Sequence, residues 1–185
     1  DERFRPVFIT AGPDGALYVA DMYRGLIQHG AYVTPYLREQ TMTRKLVKPV
    51  NFGRIWRIAP SGLRNNNTKR LSAFGTDSLI ALLKHSNGWY RDIAQRLLVE
   101  RNDATSVAPL KALVNDQKQG VIPRLHMLWT LEGLSALDAD LLLALLSDNE
   151  GAIRIAALRL IEPAVSREPK LYSKAAPALH RLSKG

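Results

Sequence analysis

Imidazole titrates near neutrality without help, so the four histidines, His29, His85, His126 and His180, come first as candidates for proton transfer. His29 follows Asp21, Tyr23 and Arg24 on a stretch that reads as a loop. A loop histidine near an acid and a cation can act as a general base or touch a substrate. The plainer reading is a solvated turn in which the Asp21 carboxylate bonds the turn backbone. His29 and Asp21 are thus the candidate catalytic residues. Arg24 and Arg54 are the candidate cofactor contacts, chosen by position alone. His126 lies near Trp129 on a helical stretch and reads as a core or groove residue. His85 and His180 lie near helix ends, where a cation complements the dipole. Trp89 and Trp129 fall on helices and read as core rather than as ligand-stacking rings.

Much chemistry is excluded outright. The chain has no cysteine, so disulfides, zinc–thiolate sites, thiol catalysis and a covalently attached c-type haem are absent from it. No His-Glu-x-x-His, phosphate-cradling glycine loop or nucleophile elbow is present. Asp14-Gly15 matches a fragment of a calcium loop whose other ligands are missing, so no metal site is expected. No apolar run approaches the roughly 18 residues that a membrane span requires. The chain starts Asp1-Glu2-Arg3-Phe4, without an initiator Met or a signal-peptide pattern, and is expected to be a piece of something longer.

The 185 residues carry 26 Lys/Arg against 17 Asp/Glu, a net charge of +9. That charge is uneven: residues 1–75 hold +7 and residues 76–185 only +2. A basic surface can meet nucleic acid or anionic lipid. The tightest cluster, Arg44-Lys45-Leu46-Val47-Lys48, is three cations in five residues, and no dense run exists. Nucleic acid is therefore not the expected partner.

The elements that position these residues change character along the chain. Val7 to Ala11 is β-rich, Gly12-Pro13-Asp14-Gly15 is a strong turn signal, and Ala16 to Asp21 is a return strand, which together predict a hairpin. Gly53 to Ala59 predicts a further strand, although Arg54 with Trp56 and Ile55 with Arg57 spoil the alternation of its faces. Arginine stems can lie along apolar surface, which softens that conflict. Between them, Thr34 can cap a helix with Pro35 at its first position, running from Tyr36 to Leu46 and ended by Pro49. Three strands bury too little to stand alone. Pro60 to Gly75, with Asn65-Asn66-Asn67 and Lys69-Arg70, reads as a linker.

Beyond it the period is helical. Thr76 or Asp77 can cap a short helix carrying Leu79, Ile80, Leu82 and Leu83. The pattern Arg91-x-x-Ala94-x-x-Leu97-Leu98 recurs at Arg124-x-x-Met127 and again at Arg154-x-x-Ala157, at spacings of 33 and 30 residues. An apolar helix precedes each copy, and Leu171 to Leu182 can open a fourth pair. One helix pair cannot bury both its faces, whereas stacked pairs share one core. An α-solenoid is expected, with an ordinary helical bundle as the alternative.

Asp148-x5-Arg154-x-x-Ala157 resembles a HEAT repeat, a family in which the Asp and Arg often bridge neighbouring repeats. Phe4-Arg5-Pro6-Val7, the run Gly12 to Gly25 and Gly53-Arg54-Ile55-Trp56-Arg57-Ile58 resemble the last part of the glucose/sorbosone-dehydrogenase-type β-propellers of bacterial membrane-bound-dehydrogenase proteins. In that family HEAT-like repeats and then a cytochrome c domain follow the propeller. The resemblance implies a mixed fold: partial propeller blades over residues 1–59, a linker over 60–76 and an all-α HEAT-like solenoid over 77–185. It implies a periplasmic or exported, cytochrome c-linked redox protein, with the helical repeats as spacer or docking surface. The implied partners are the remaining blades and a cytochrome c domain of the same protein. The implied cofactors lie outside this chain: c-type haem downstream, and pyrroloquinoline quinone or calcium in a full propeller. The isolated chain is expected to be inactive. The competing expectation is a non-enzymatic scaffold whose solenoid groove binds a protein partner.

Overall fold

A computed structural model describes residues 2–63, 70–167 and 170–184, except for the side chains of Ala164 and Arg167. The expected linker segment Asn65-Asn66-Asn67 and Lys69 lies outside the described residues. The chain divides into two compact units, Asp1–Thr68 and Lys69–Gly185.

In the first unit the turn signal acts as expected. Strand β1 (Pro6–Ala11) turns at Gly12–Gly15 into β2 (Leu17–Asp21). Gly15 takes φ of +80°, a conformation that favours glycine. Tyr18 lies across Gly12, where a Cβ would come within 2.2 Å of its ring. Strand β3 (Arg54–Ile58) pairs antiparallel with β2, giving the order β1-β2-β3. In register, Asp21 faces Arg54, Val19 faces Trp56 and Tyr18 faces Arg57. Helix α1 (Pro35–Thr43) begins as expected, with the Leu37 amide donating to the Thr34 hydroxyl. It stops before the expected Leu46. Lys45 takes φ of +56° and the Leu46 amide returns to the Thr41 carbonyl at 2.8 Å. This is a Schellman ending with lysine in the place usually held by glycine.

Among the described residues the expected β-propeller blades are absent. Residues 6–58 form one small, open, three-stranded antiparallel sheet, and about 55% of the protein is helical. A blade is a four-stranded sheet covered by its neighbours. Here both outer strands are exposed along most of their length, with Phe8 at 64% and Ile55 at 76%. The local pattern specifies a hairpin, which many architectures share.

The second unit holds α2 (Thr76–Leu82), α3 (Gly88–Arg101), α4 (Val107–Asn115), α5 (Val121–Gly133), α6 (Ala139–Leu145), α7 (Gly151–Arg167) and α8 (Lys170–Leu182). Gly75 is the N-cap of α2, where Thr76 or Asp77 was expected. The Thr76 hydroxyl instead donates to the Asp103 carboxylate at 2.6 Å. Helices pack as α2 with α3, α4 with α5 and α6 with α7, and successive pairs meet through α3, α5 and α7. Helix α8 packs on α6 and α7. One apolar core runs from Leu79 to Ala178. The equivalent residues Ala94, Met127 and Ala157 are all fully buried within it.

Polar links are built on the same repeat. Arg91, Arg124 and Arg154 are each the fourth residue of their helix. Arg91 donates to the carbonyls of His85 and Ser86 and Arg154 to those of Asp148 and Asn149, in the turn before each helix, whereas Arg124 donates to that of Val114 in the last turn of α4. Arg124 also grips the Asp148 carboxylate with both terminal nitrogens, joining the second pair to the third. Both of these side chains are buried. Gln117 and the Glu150 amide complete the Asp148 shell.

Candidate functional site

The sheet gathers two of the four candidate residues. Asp21 ends β2 with its side chain fully buried, and Arg54 opens β3 beside it. One Asp21 oxygen accepts from the Arg5 amide at 2.7 Å and the Tyr23 amide at 2.9 Å. The other accepts from Arg54 Nε at 2.9 Å and Trp56 Nε1 at 3.1 Å, with Arg54 Nη2 at 2.7 Å. The Arg54 guanidinium lies 3.8 Å from the Tyr23 ring centroid and 4.7 Å from that of Trp56. Burial pulls the Asp21 carboxyl upward. The amides of Arg5 and Tyr23, with Trp56 and Arg54, outweigh it and hold the group far below the usual carboxylate range. A carboxylate so fully supplied with donors clasps the start of β1, the turn after β2 and β3. Proton abstraction would require those donors to leave.

A second clasp closes the other end of β2. Asp14 accepts from the Ala16 amide at 3.1 Å, the Tyr18 hydroxyl at 3.1 Å and Arg57 Nε at 2.7 Å. Burial again raises the carboxyl and these donors, Arg57 foremost, bring it below its ordinary value. The two arginines that blur the alternation of β3 are therefore its anchors.

His29 and Arg24 stand apart from Asp21. His29 is exposed, and its Nδ1 accepts from the Ala31 amide at 3.4 Å, capping a short turn. Its ring stands 6.1 Å from that of Tyr32. Arg24 is half-buried and forms no hydrogen bond or ion pair among the described residues. Nearby, Leu26, Val33, Thr41, Met42 and Val47 line an apolar cavity of about 210 Å³ against α1. Among the described residues no group of three or more acidic or histidine side chains could hold a metal.

The second unit carries a surface that residue-by-residue reading did not find. A groove of about 440 Å³ runs between α3 and α5, lined by Asp92, Gln95, Val99, Glu100, Trp129 and Glu132. Gly133 permits its floor, since a Cβ there would fall 2.7 Å from a Val99 methyl. Arg96, also in the groove, pairs with Glu100 at 3.4 Å, which leaves the lining acidic. His126 sits beside it, half-buried, with Nδ1 2.8 Å from Gln95 Oε1. Burial, aided by the Arg91 charge, keeps this imidazole below its ordinary value near 6.5, against the pull of Asp92. Trp129 thus stands at the wall of a groove. The signal available in the sequence was the shared helical face of Asp92, Gln95, Arg96, Val99 and Glu100.

Residues 1–62 match a family described as a domain of unknown function (DUF7133). No curated protein and no solved structure matches the chain. No helix among the described residues is long and apolar enough to cross a membrane.

Proposed function

We propose that the chain is a protein-docking scaffold, in which the helical stack 69–185 presents the α3–α5 groove to a basic peptide segment. The observation that carries this reading is that Trp129, Asp92 and Glu132 line one groove, in which Arg96 is already paired with Glu100. An indole face and several carboxylates together suit a lysine or arginine side chain with an apolar neighbour. The stack closes its own core, so this groove is surplus to folding.

The resemblance seen in residues 4–25 and 53–58 supports a second reading that keeps the same docking role. There the stack is the spacer or docking surface of a dehydrogenase-like, cytochrome c-linked redox protein. Its favouring observation is that the resembling segments meet in one place, at Asp21, Arg54 and Trp56.

Two measurements on the isolated chain test these readings. A short peptide of lysine and leucine is expected to shift the Trp129 indole resonance saturably, with Glu132→Lys weakening it about tenfold or more. Equal binding by the variant would overturn the groove. Added quinone acceptor and sugar should give no turnover, since the chain carries no haem site; measurable oxidation would overturn the docking reading.

A further inference from the structure

The repeat of arginines leaves one place unlike the others. Asp148 stands three residues before α7, where the earlier pairs have His85 and Lys118. It is this carboxylate that reaches back to fill the space beside Arg124. One step further along the stack, the equivalent arginine, Arg154, opens onto a cleft of about 430 Å³ lined by Leu146, Ser147, Ala178, Arg181 and Leu182. Arg154 uses Nη1 on the carbonyls of Asp148 and Asn149, and Arg181 uses Nη2 on the Ser147 hydroxyl at 3.0 Å. Among the described residues neither guanidinium meets a carboxylate. Where α6 and the turn after it offer an acid to Arg124, α8 offers a second cation to Arg154.

We propose that this cleft binds the carboxylate of an acidic segment of a partner protein, as Asp148 binds Arg124 within the chain. Two guanidinium groups facing one cleft repel each other until an anion lies between them, and a carboxylate accepts from both through charge-assisted bonds. Leu146, Ala178 and Leu182 supply apolar walls that limit water around that contact. The volume accommodates a side chain with its flanking backbone, well beyond a single small ion. The acidic groove between α3 and α5 has the opposite preference, so the two surfaces are independent.

The probe is a peptide copying residues 145–149 with both ends capped, whose one carboxylate is that already seen against Arg124. Titrated into the full chain, it is expected to shift the amide resonances of Ala178 and Arg181 saturably. Asp148→Asn in the peptide and Arg181→Gln in the protein should each weaken binding by about tenfold or more. Arg181 is exposed, so Arg181→Gln should keep the helical melt of the parent. Glu132→Lys should leave this binding unchanged, which separates it from the groove. Acetate and inorganic phosphate, titrated separately, should need far higher concentrations. The proposal is overturned if no saturable shift is seen, if the asparagine peptide binds equally, or if acetate or phosphate matches the peptide.

Discussion

Each of the two units is held by a different force. The stack 69–185 buries one continuous run of leucine, isoleucine, alanine and methionine side chains. Within 1–68, the described residues bury only Ala16 and Val19 among their hydrophobics. The sheet instead relies on Asp14 and Asp21, each gripping an arginine of β3. An apolar core rests on no single charged group, whereas a clasp of charge-assisted bonds fails when either partner is lost. The contrast locates the sturdy and the dependent parts of the chain.

The largest expected effect comes from cutting between them. Residues 69–185 alone should melt cooperatively with a helical circular-dichroism signal, because their contacts are local. Residues 1–68 alone should be cleaved rapidly by protease, because a small, largely exposed sheet is marginal in water. A protease-resistant 1–68 would erase the contrast. Next come matched substitutions. Arg124→Ala strands the Asp148 carboxylate and should destabilise the stack by about 3–5 kcal/mol in a urea melt. Asp21→Asn should disperse the Trp56 and Arg54 resonances while leaving the helical melt in place. Loss of the helical melt in that variant would show that the units are not separable.

The smallest effect is in pH. His126 is held below its ordinary value in the folded stack, so the unfolded imidazole takes its proton first. The stack should therefore lose a little stability as pH falls through about 6.5, and His126→Gln should remove that loss. Asp14 and Asp21 are held low, so their contribution to the sheet is complete above about 3.9 and is lost only as pH falls below it. A helical melting temperature indifferent to pH between 7.5 and 5 would remove His126 from the account.

Signals were most readable where the deciding residues are neighbours in the chain and of the usual types. Gly12-Pro13-Asp14-Gly15 and Thr34-Pro35 mark a turn and a helix start because neighbouring residues alone fix those geometries. The recurrence of Arg91, Arg124 and Arg154 exposed the paired helices. The ending of α1 was hidden because lysine rather than glycine takes the left-handed position. What covers the hairpin was also hidden, since the pattern within strands says which face is apolar and nothing of its neighbour. The Asp21 site was half legible: Asp21 and Arg54 were picked by position, but their partners Trp56 and the Arg5 amide lie 35 and 16 residues away in sequence. The α3–α5 groove depended on the distance between two helices, which Gly133 sets.

The Asp21 clasp also imposes an order in time. Arg5 and Tyr23 are at hand as soon as the hairpin closes, but Arg54 and Trp56 arrive only after residues 22–53 have been threaded round. Closing so long a loop costs entropy before any bond returns it, whereas each helix pair downstream closes over a short turn. The sheet is thus built to finish late, and until it does the Asp21 carboxylate holds only its two backbone amides.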